Sequence, residues 1–251
     1  MSNAAISIQA LGFRYPHQAT DCFSNLNLDV LQGERFGLFG PNGAGKTTLM
    51  NCMTGLLQDQ RGSIKLLGHE IAHHKKSINS LFGFVPQDFS FYQELSPAEN
   101  LAFFGAWAGL TKPEIKNKTT ELLEVLGLTD VRNKIIQEFS GGMKRRVNLA
   151  IGVIHNPKIL FLDEPTVGVD VHTRQAIIGY LKKLNEGGTT LIYTSHQLSE
   201  AEELCNKVAL IDDGKIIAHD TLQQLMMDYK EKGLEGLFLN LTGKSFRDTN
   251  V

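Results

Sequence analysis

The apolar positions of this chain gather in short runs set off by glycine, proline and charged residues. Runs at 6–11, 26–30 and 64–67 predict strands of an antiparallel β piece. Runs at 36–39, 82–85, 159–162, 190–194 and 208–211 predict a parallel core. The run at 159–162 is the plainest of these. It is continuously apolar and ends in two carboxylates, as a buried parallel strand does where it reaches a ligand face. Helical patterns cover 98–109, 114–126 and 142–154, which places a helical lobe between Gln87 and the acid pair Asp163-Glu164. Residues 47–57 and 221–229 predict two further helices, and beyond Tyr229 the pattern assigns nothing. The predicted fold class is α/β: a parallel-sheet core with an antiparallel β subdomain and an inserted α-helical subdomain. Within a single domain, the core lobe takes 1–87 and 158–220, the helical lobe 88–157 and a C-terminal tail 221–251.

Composition narrows the setting. With 251 residues, 42% of them hydrophobic, the chain can bury a large core. No apolar run approaches the roughly 20 residues that span a bilayer; the stretch 101–110 is too short and is broken by glycine. The N-terminus lacks a basic region followed by an apolar stretch, so neither a signal peptide nor a transmembrane segment is expected. A net charge of -2 gives no nucleic-acid footprint, and the short run Lys144-Arg145-Arg146 reads as a helix face. Cys22, Cys52 and Cys205 are odd in number and widely spaced, which predicts reduced thiols. His69, His73 and His74 cluster without a supporting cysteine and read as a solvated hairpin rather than a metal site.

The chemistry lies in two separated phosphate-handling segments. Gly40-Pro41-Asn42-Gly43-Ala44-Gly45-Lys46-Thr47 follows a predicted strand and opens a predicted helix. Its glycines let backbone N–H groups turn inward as a nest for anionic oxygens. Lys46 supplies a flexible charge for the β- and γ-phosphates, the Thr47 hydroxyl suits Mg²⁺, and the helix start favours anions. Asp163 can hold Mg²⁺ through water, and Glu164 can polarise an attacking water. Downstream of the loop, Ser140, Gly141 and Gly142 precede a long helical segment and make a second backbone-donor site of the same kind. A chain that already has one such loop has little reason to use another on the same nucleotide.

In their order, these segments resemble the ATP-binding subunit of an ATP-binding-cassette (ABC) transporter, over nearly the whole chain. Phe139-Ser140-Gly141-Gly142-Met143 is similar to the family's signature, usually Leu-Ser-Gly-Gly-Gln. Gln87 matches the glutamine loop, His196 the switch histidine, Asp170 the aspartate loop and Tyr15 the aromatic that stacks on adenine. The resemblance implies a P-loop NTPase (RecA-like) core that binds ATP and Mg²⁺. Tyr15, Gly40, Pro41, Asn42, Gly43, Ala44, Gly45, Lys46, Thr47 and Thr48 would bind ATP. Thr47, Gln87 and Asp163 would hold the metal, and Glu164, His196 and Gln87 would act in hydrolysis.

The resemblance also implies partners. Ser140, Gly141 and Gly142 of one subunit would cap ATP held by another in a head-to-tail, ATP-dependent dimer, either a homodimer or a pair with a related ATPase. Asp170 would serve the contact between subunits. An integral membrane permease would be a separate chain, with this one at the cytoplasmic face of the membrane and no nucleic acid bound. Residues 88–100, with Phe89, Phe91 and Tyr92, would form the groove for a permease helix. Met143, Phe139 and the stretch Thr166-Val167-Gly168-Val169 depart from the commoner patterns and are similar instead to ATPases of drug-resistance, lipid and polysaccharide exporters. The tail 234–243 resembles the end of that subgroup. The alternative is a non-transport ABC ATPase acting on the ribosome or nucleic acid. The interval from Lys46 to Gly141 has no room for the long coiled coil of chromosome-type relatives, and the chain has one cassette where translation-type relatives carry two.

Overall fold

A computed structural model describes residues 3–58, 61–72, 78–195 and 197–243. The chain divides into two compact units, Met1–Ile78 with Thr190–Val251, and Asn79–Thr189.

The first unit holds an antiparallel sheet in the order β2-β1-β4-β5, with β1 at Ala4–Phe13, β2 at Phe23–Leu31, β4 at Arg61–Leu66 and β5 at His69–Glu70. β2 alternates, burying Phe23, Leu26, Leu28 and Val30 while the residues between them face outward, as a strand with one covered face does. β1 is longer than its apolar run predicts because its register shifts between Ile8 and Leu11, which carries the pairing on to Phe13. The same unit holds β3 (Arg35–Phe39) between β8 (Thr190–Thr194) and β9 (Lys207–Asp212), all parallel. Phe36, Leu38 and Phe39 of β3, Leu191 to Tyr193 of β8 and Val208 to Ile211 of β9 are almost wholly buried, so these strands read as unbroken apolar runs.

β10 (Lys215–Thr221) pairs antiparallel with β9 across the turn Asp213-Gly214. The pattern did not place this strand, because Lys215, His219 and Asp220 interrupt it. Asp-Gly with both residues at positive φ was the usable signal. Helix α1 (Lys46–Met53) ends short of the expected 57, where the Thr54 hydroxyl turns back on the carbonyls of Met50 and Asn51, at 3.0 and 3.3 Å. Among the described residues this unit also holds α6 (Leu198–Leu204), α7 (Leu222–Tyr229) and α8 (Leu234–Thr242). α8 is anchored by buried Leu234, Leu237 and Phe238, and the Leu234 N–H donates to Glu202 Oε1 at 2.6 Å.

The second unit pairs β6 (Phe82–Val85) with β7 (Ile159–Asp163) in parallel and adds α2 (Pro97–Trp107), α3 (Lys112–Val125), α4 (Gly141–Val153) and α5 (Val171–Glu186). α2 begins before the expected 98 because Ser96, Pro97 and Glu99 form a complete start. The Ser96 hydroxyl accepts the Glu99 N–H, and the Glu99 carboxylate accepts the Ser96 N–H at 2.8 Å. Thr111, Pro113 and Glu114 start α3 in the same way. Among the described residues no helix is long and apolar enough to cross a membrane.

Candidate functional site

In the first unit β3 delivers the chain to the glycine loop. A Cβ on Gly40 would fall 2.1 Å from the Ile211 carbonyl oxygen, so only glycine allows the loop to leave the sheet beside β9. Gly43 and Gly45 have φ of 81° and 103°, and Gly45 caps α1 with no side chain over the helix start. The first N–H groups of α1 are therefore presented to a ligand rather than to a capping oxygen. Lys46 is buried, and its ammonium donates to the carbonyls of Gly40 at 2.8 Å and Pro41 at 3.1 Å, which lays it along the loop. Thr47 is exposed and Thr48 buried. Thr48 Oγ1 meets the hydroxyl of Tyr15 at 2.9 Å, and the Tyr15 ring stands edge-on to Phe13 with centroids 4.9 Å apart. Held at both ends, the Tyr15 ring stays 40% exposed, which leaves an aromatic surface open beside the loop's helix.

The second unit carries the acid pair. β7 is buried along its whole length, and Asp163 closes it at 3% exposure. Glu164 follows with φ of 50°, a backbone conformation that costs a non-glycine residue about 1–3 kcal/mol and recurs at functional sites. Gln87 Nε2 donates to Glu164 Oε2 at 3.0 Å, so the two residues predicted to face an attacking water are in direct contact. Ser140 caps α4, its hydroxyl accepting the Met143 N–H at 3.3 Å. Ser140 and Gly141 are exposed, so the helix start faces outward. Asp170 caps α5: its carboxylate accepts the Thr173 N–H at 2.9 Å and the Thr173 hydroxyl at 2.7 Å, and these bonds hold it below the usual carboxylate range. The two helix starts adjoin, since a Cβ on Gly142 would lie 3.3 Å from Thr173 Oγ1 and 3.6 Å from Asp170 Oδ2.

The ABC transporter family model matches residues 23–167, which takes in the glycine loop, Gln87, the signature and the acid pair. The chain belongs to the ABC transporter family. It is similar to the linearmycin resistance ATP-binding protein LnrL of Bacillus subtilis strain 168, with 40% identity over 218 residues, 87% of this chain and 70% of that one. It is 38% identical over 202 residues to a Nod factor export ATP-binding protein I of Cupriavidus metallidurans, covering 80% of this chain and 67% of that one. A solved structure described as the ATP-binding subunit of an ABC transporter superposes with a TM-score of 0.87 at 25% identity, over 95% of this chain and 99% of the other. The fold is that of a P-loop NTPase, and the protein is an ATP-hydrolysing motor subunit of an ABC transporter.

Other expectations for this ABC subunit meet the structure unevenly. His196 lies outside the described residues, as do His73 and His74; His69 is exposed on β5. Around position 196, Ser195 and Tyr193 both donate their hydroxyls to the buried Glu200 carboxylate, at 2.9 and 2.7 Å, and the Gln197 N–H donates to Ser195 Oγ at 2.9 Å. Sequence reading did not single out Glu200. The basic run is not a uniform helix face. Arg146 donates to the carbonyls of Leu126 and Gly127, and Arg145 is buried, donating to those of Gln87 and Val167. Cys22, Cys52 and Cys205 are free thiols. Burial, with Cys22 close by, pushes Cys52 up to about 12, and burial also raises Cys205, so neither presents a thiolate near neutral pH.

Proposed function

We propose that this ABC ATPase drives export through a separate membrane permease, working as a head-to-tail pair that encloses two ATP molecules. The observation that carries the reading is the presence of two helix starts suited to phosphate, one at the Gly45–Lys46 loop, with no capping side chain, and one at the exposed Ser140-Gly141 turn, in a chain whose Gln87 and Glu164 already touch. The loop from Gly40 to Thr48 cradles the triphosphate, with Tyr15 against the adenine. The signature of one subunit caps the ATP of the other, and Asp170 serves the contact between them. Glu164 activates water, Gln87 orients it, and His196 bonds the γ-phosphate.

Mg²⁺ fits the donor set. The Thr47 hydroxyl, the Gln87 amide oxygen and the Asp163 carboxylate are all hard oxygens, and a bound Mg²⁺ would neutralise charge developing on the phosphates. One ATPase domain, with core lobe 1–87 and 158–220, helical lobe 88–157 and tail 221–251, accounts for these roles.

Export as the direction is supported by the relatives, which are named for resistance to linearmycin and for Nod factor export. A permease helix has a suitable seat in the aromatic cluster of the second unit. Tyr92 packs edge-on against Phe103 at 5.0 Å, Phe89 stacks on Phe91 at 5.3 Å, and Trp107 is 76% exposed on α2. With a permease helix seated there, the subunit would work at the cytoplasmic face of the membrane. Tagged Glu164→Gln, recovered with ATP and Mg²⁺ from detergent-solubilised native cells, is expected to bring down an integral membrane protein in comparable amount. Recovery of ribosomal or DNA-bound partners with no membrane protein would refute the transport reading.

A further inference from the structure

Arg145 occupies an unusual position for a residue in a run of three basic side chains. It lies on α4, five residues after the capping Ser140, and is 9% exposed. Its Nη1 donates to the Gln87 carbonyl and its Nε to the Val167 carbonyl at 3.3 Å. The guanidinium carbon stands 4.8 Å from the centroid of the Phe89 ring. The Asp88 and Glu164 carboxylates act on the same cation and favour its charge, although burial lowers its pKa overall. One side chain therefore joins three segments that are distant in sequence: the signature helix, the glutamine loop, and the stretch between Glu164 and Asp170. Arg146, its neighbour, instead holds the carbonyls of Leu126 and Gly127 at the end of α3, and within its own helix that of Gly142 at 3.5 Å.

We propose that Arg145 is a positioning residue that couples the signature turn of each subunit to its own Gln87–Glu164 pair. The inference rests on the head-to-tail reading above. There, the Ser140 turn of one subunit closes on ATP in its partner's loop, while the same subunit's Gln87 and Glu164 serve the ATP in its own loop. Closure moves α4, and the guanidinium carries that movement to the Gln87 backbone. The Gln87 amide, bonded to Glu164 at 3.0 Å, then takes up the geometry for water attack. ATP bound at one site thereby licenses hydrolysis at the other, a coupling of two sites through a contiguous contact chain. Arg is suited to this role and Lys is not. Its planar fork reaches two carbonyls at once and can lie against an aromatic ring, whereas an ammonium is a single point.

ATP turnover of the purified subunit, measured against ATP concentration, tests the coupling. The wild type is expected to show a Hill coefficient between about 1.5 and 2, the ceiling for two coupled sites. Arg145→Met should lower kcat on the order of 100-fold, as misplacement of reacting groups does. Its KM and its affinity for a fluorescent ATP analogue should stay within about twofold, and its Hill coefficient should fall to about 1. Arg145→Lys should fall between, with cooperativity reduced, and it decides the matter if Arg145→Met fails to fold. Arg146→Met should lower the melting temperature while leaving the Hill coefficient at the wild-type value. A wild-type Hill coefficient of 1, or kcat and cooperativity preserved in Arg145→Lys and Arg145→Met, would overturn the proposal. Glu164→Gln run alongside separates the two claims. If it hydrolyses ATP normally, the reading of the site fails and the coupling with it. If it is inactive while the Arg145 variants behave as wild type, the coupling alone fails.

Discussion

Replacing Glu164 with glutamine is expected to reduce ATP turnover on the order of 10²–10⁴-fold, the usual contribution of a positioned general base. That loss corresponds to about 3–5 kcal/mol of barrier. The substitution keeps the shape of the side chain and removes its charge. The Gln87 amide can still meet the new side-chain oxygen, so the 3.0 Å contact need not be lost. ATP affinity should remain at or above that of the wild type, because the phosphate loop is untouched. Steady-state phosphate release and equilibrium binding of a fluorescent ATP analogue separate the two effects. Normal turnover would remove Glu164 from the chemistry. A parallel fall in turnover and affinity would mean that the substitution damages the site as a whole.

Lys46→Ala should act on the other quantity. The ammonium bonds the Gly40 and Pro41 carbonyls and lies along the loop that would receive the β- and γ-phosphates. A charged hydrogen bond contributes about 1.5–3 kcal/mol, so losing the phosphate contacts should weaken ATP binding on the order of 100-fold or more. Alanine also unties the loop from its own lysine, which adds to the loss. Titration of the purified variant with the same fluorescent analogue reads the change directly. Undiminished affinity would mean that the Gly40–Thr47 loop does not carry the triphosphate.

The glycine loop and the acid pair were legible in the sequence because each position has a local cause. A strand, a set of glycines, a lysine and a helix start follow one another without a gap, and β7 announces its burial by an unbroken apolar run. Element boundaries were read less well where the chain carries its own start signal outside the apolar pattern. Ser96-Pro97 with Glu99 sets the start of α2, and the Thr54 hydroxyl ends α1, both through polar atoms that periodicity ignores. β10 escaped notice because an edge strand tolerates Lys, His and Asp, and α8 because Gly233 offers no capping side chain.

What could not be read was contact across long intervals. Gln87 meets Glu164 from 77 positions away, and Arg145 meets Gln87 from 58. A charged run ordinarily predicts solvent, and nothing local says that the second of three basic residues will turn inward to bond carbonyls from two other segments.

Sedimentation of purified Glu164→Gln with and without ATP and Mg²⁺ tests the central claim most directly, because hydrolysis cannot undo what binding assembles. The paired-subunit motor predicts a monomer without nucleotide and a dimer holding two ATP molecules with it, the dimer being lost when Ser140 is also replaced by arginine. A protein that binds ATP tightly yet stays monomeric at every concentration of nucleotide would contradict it.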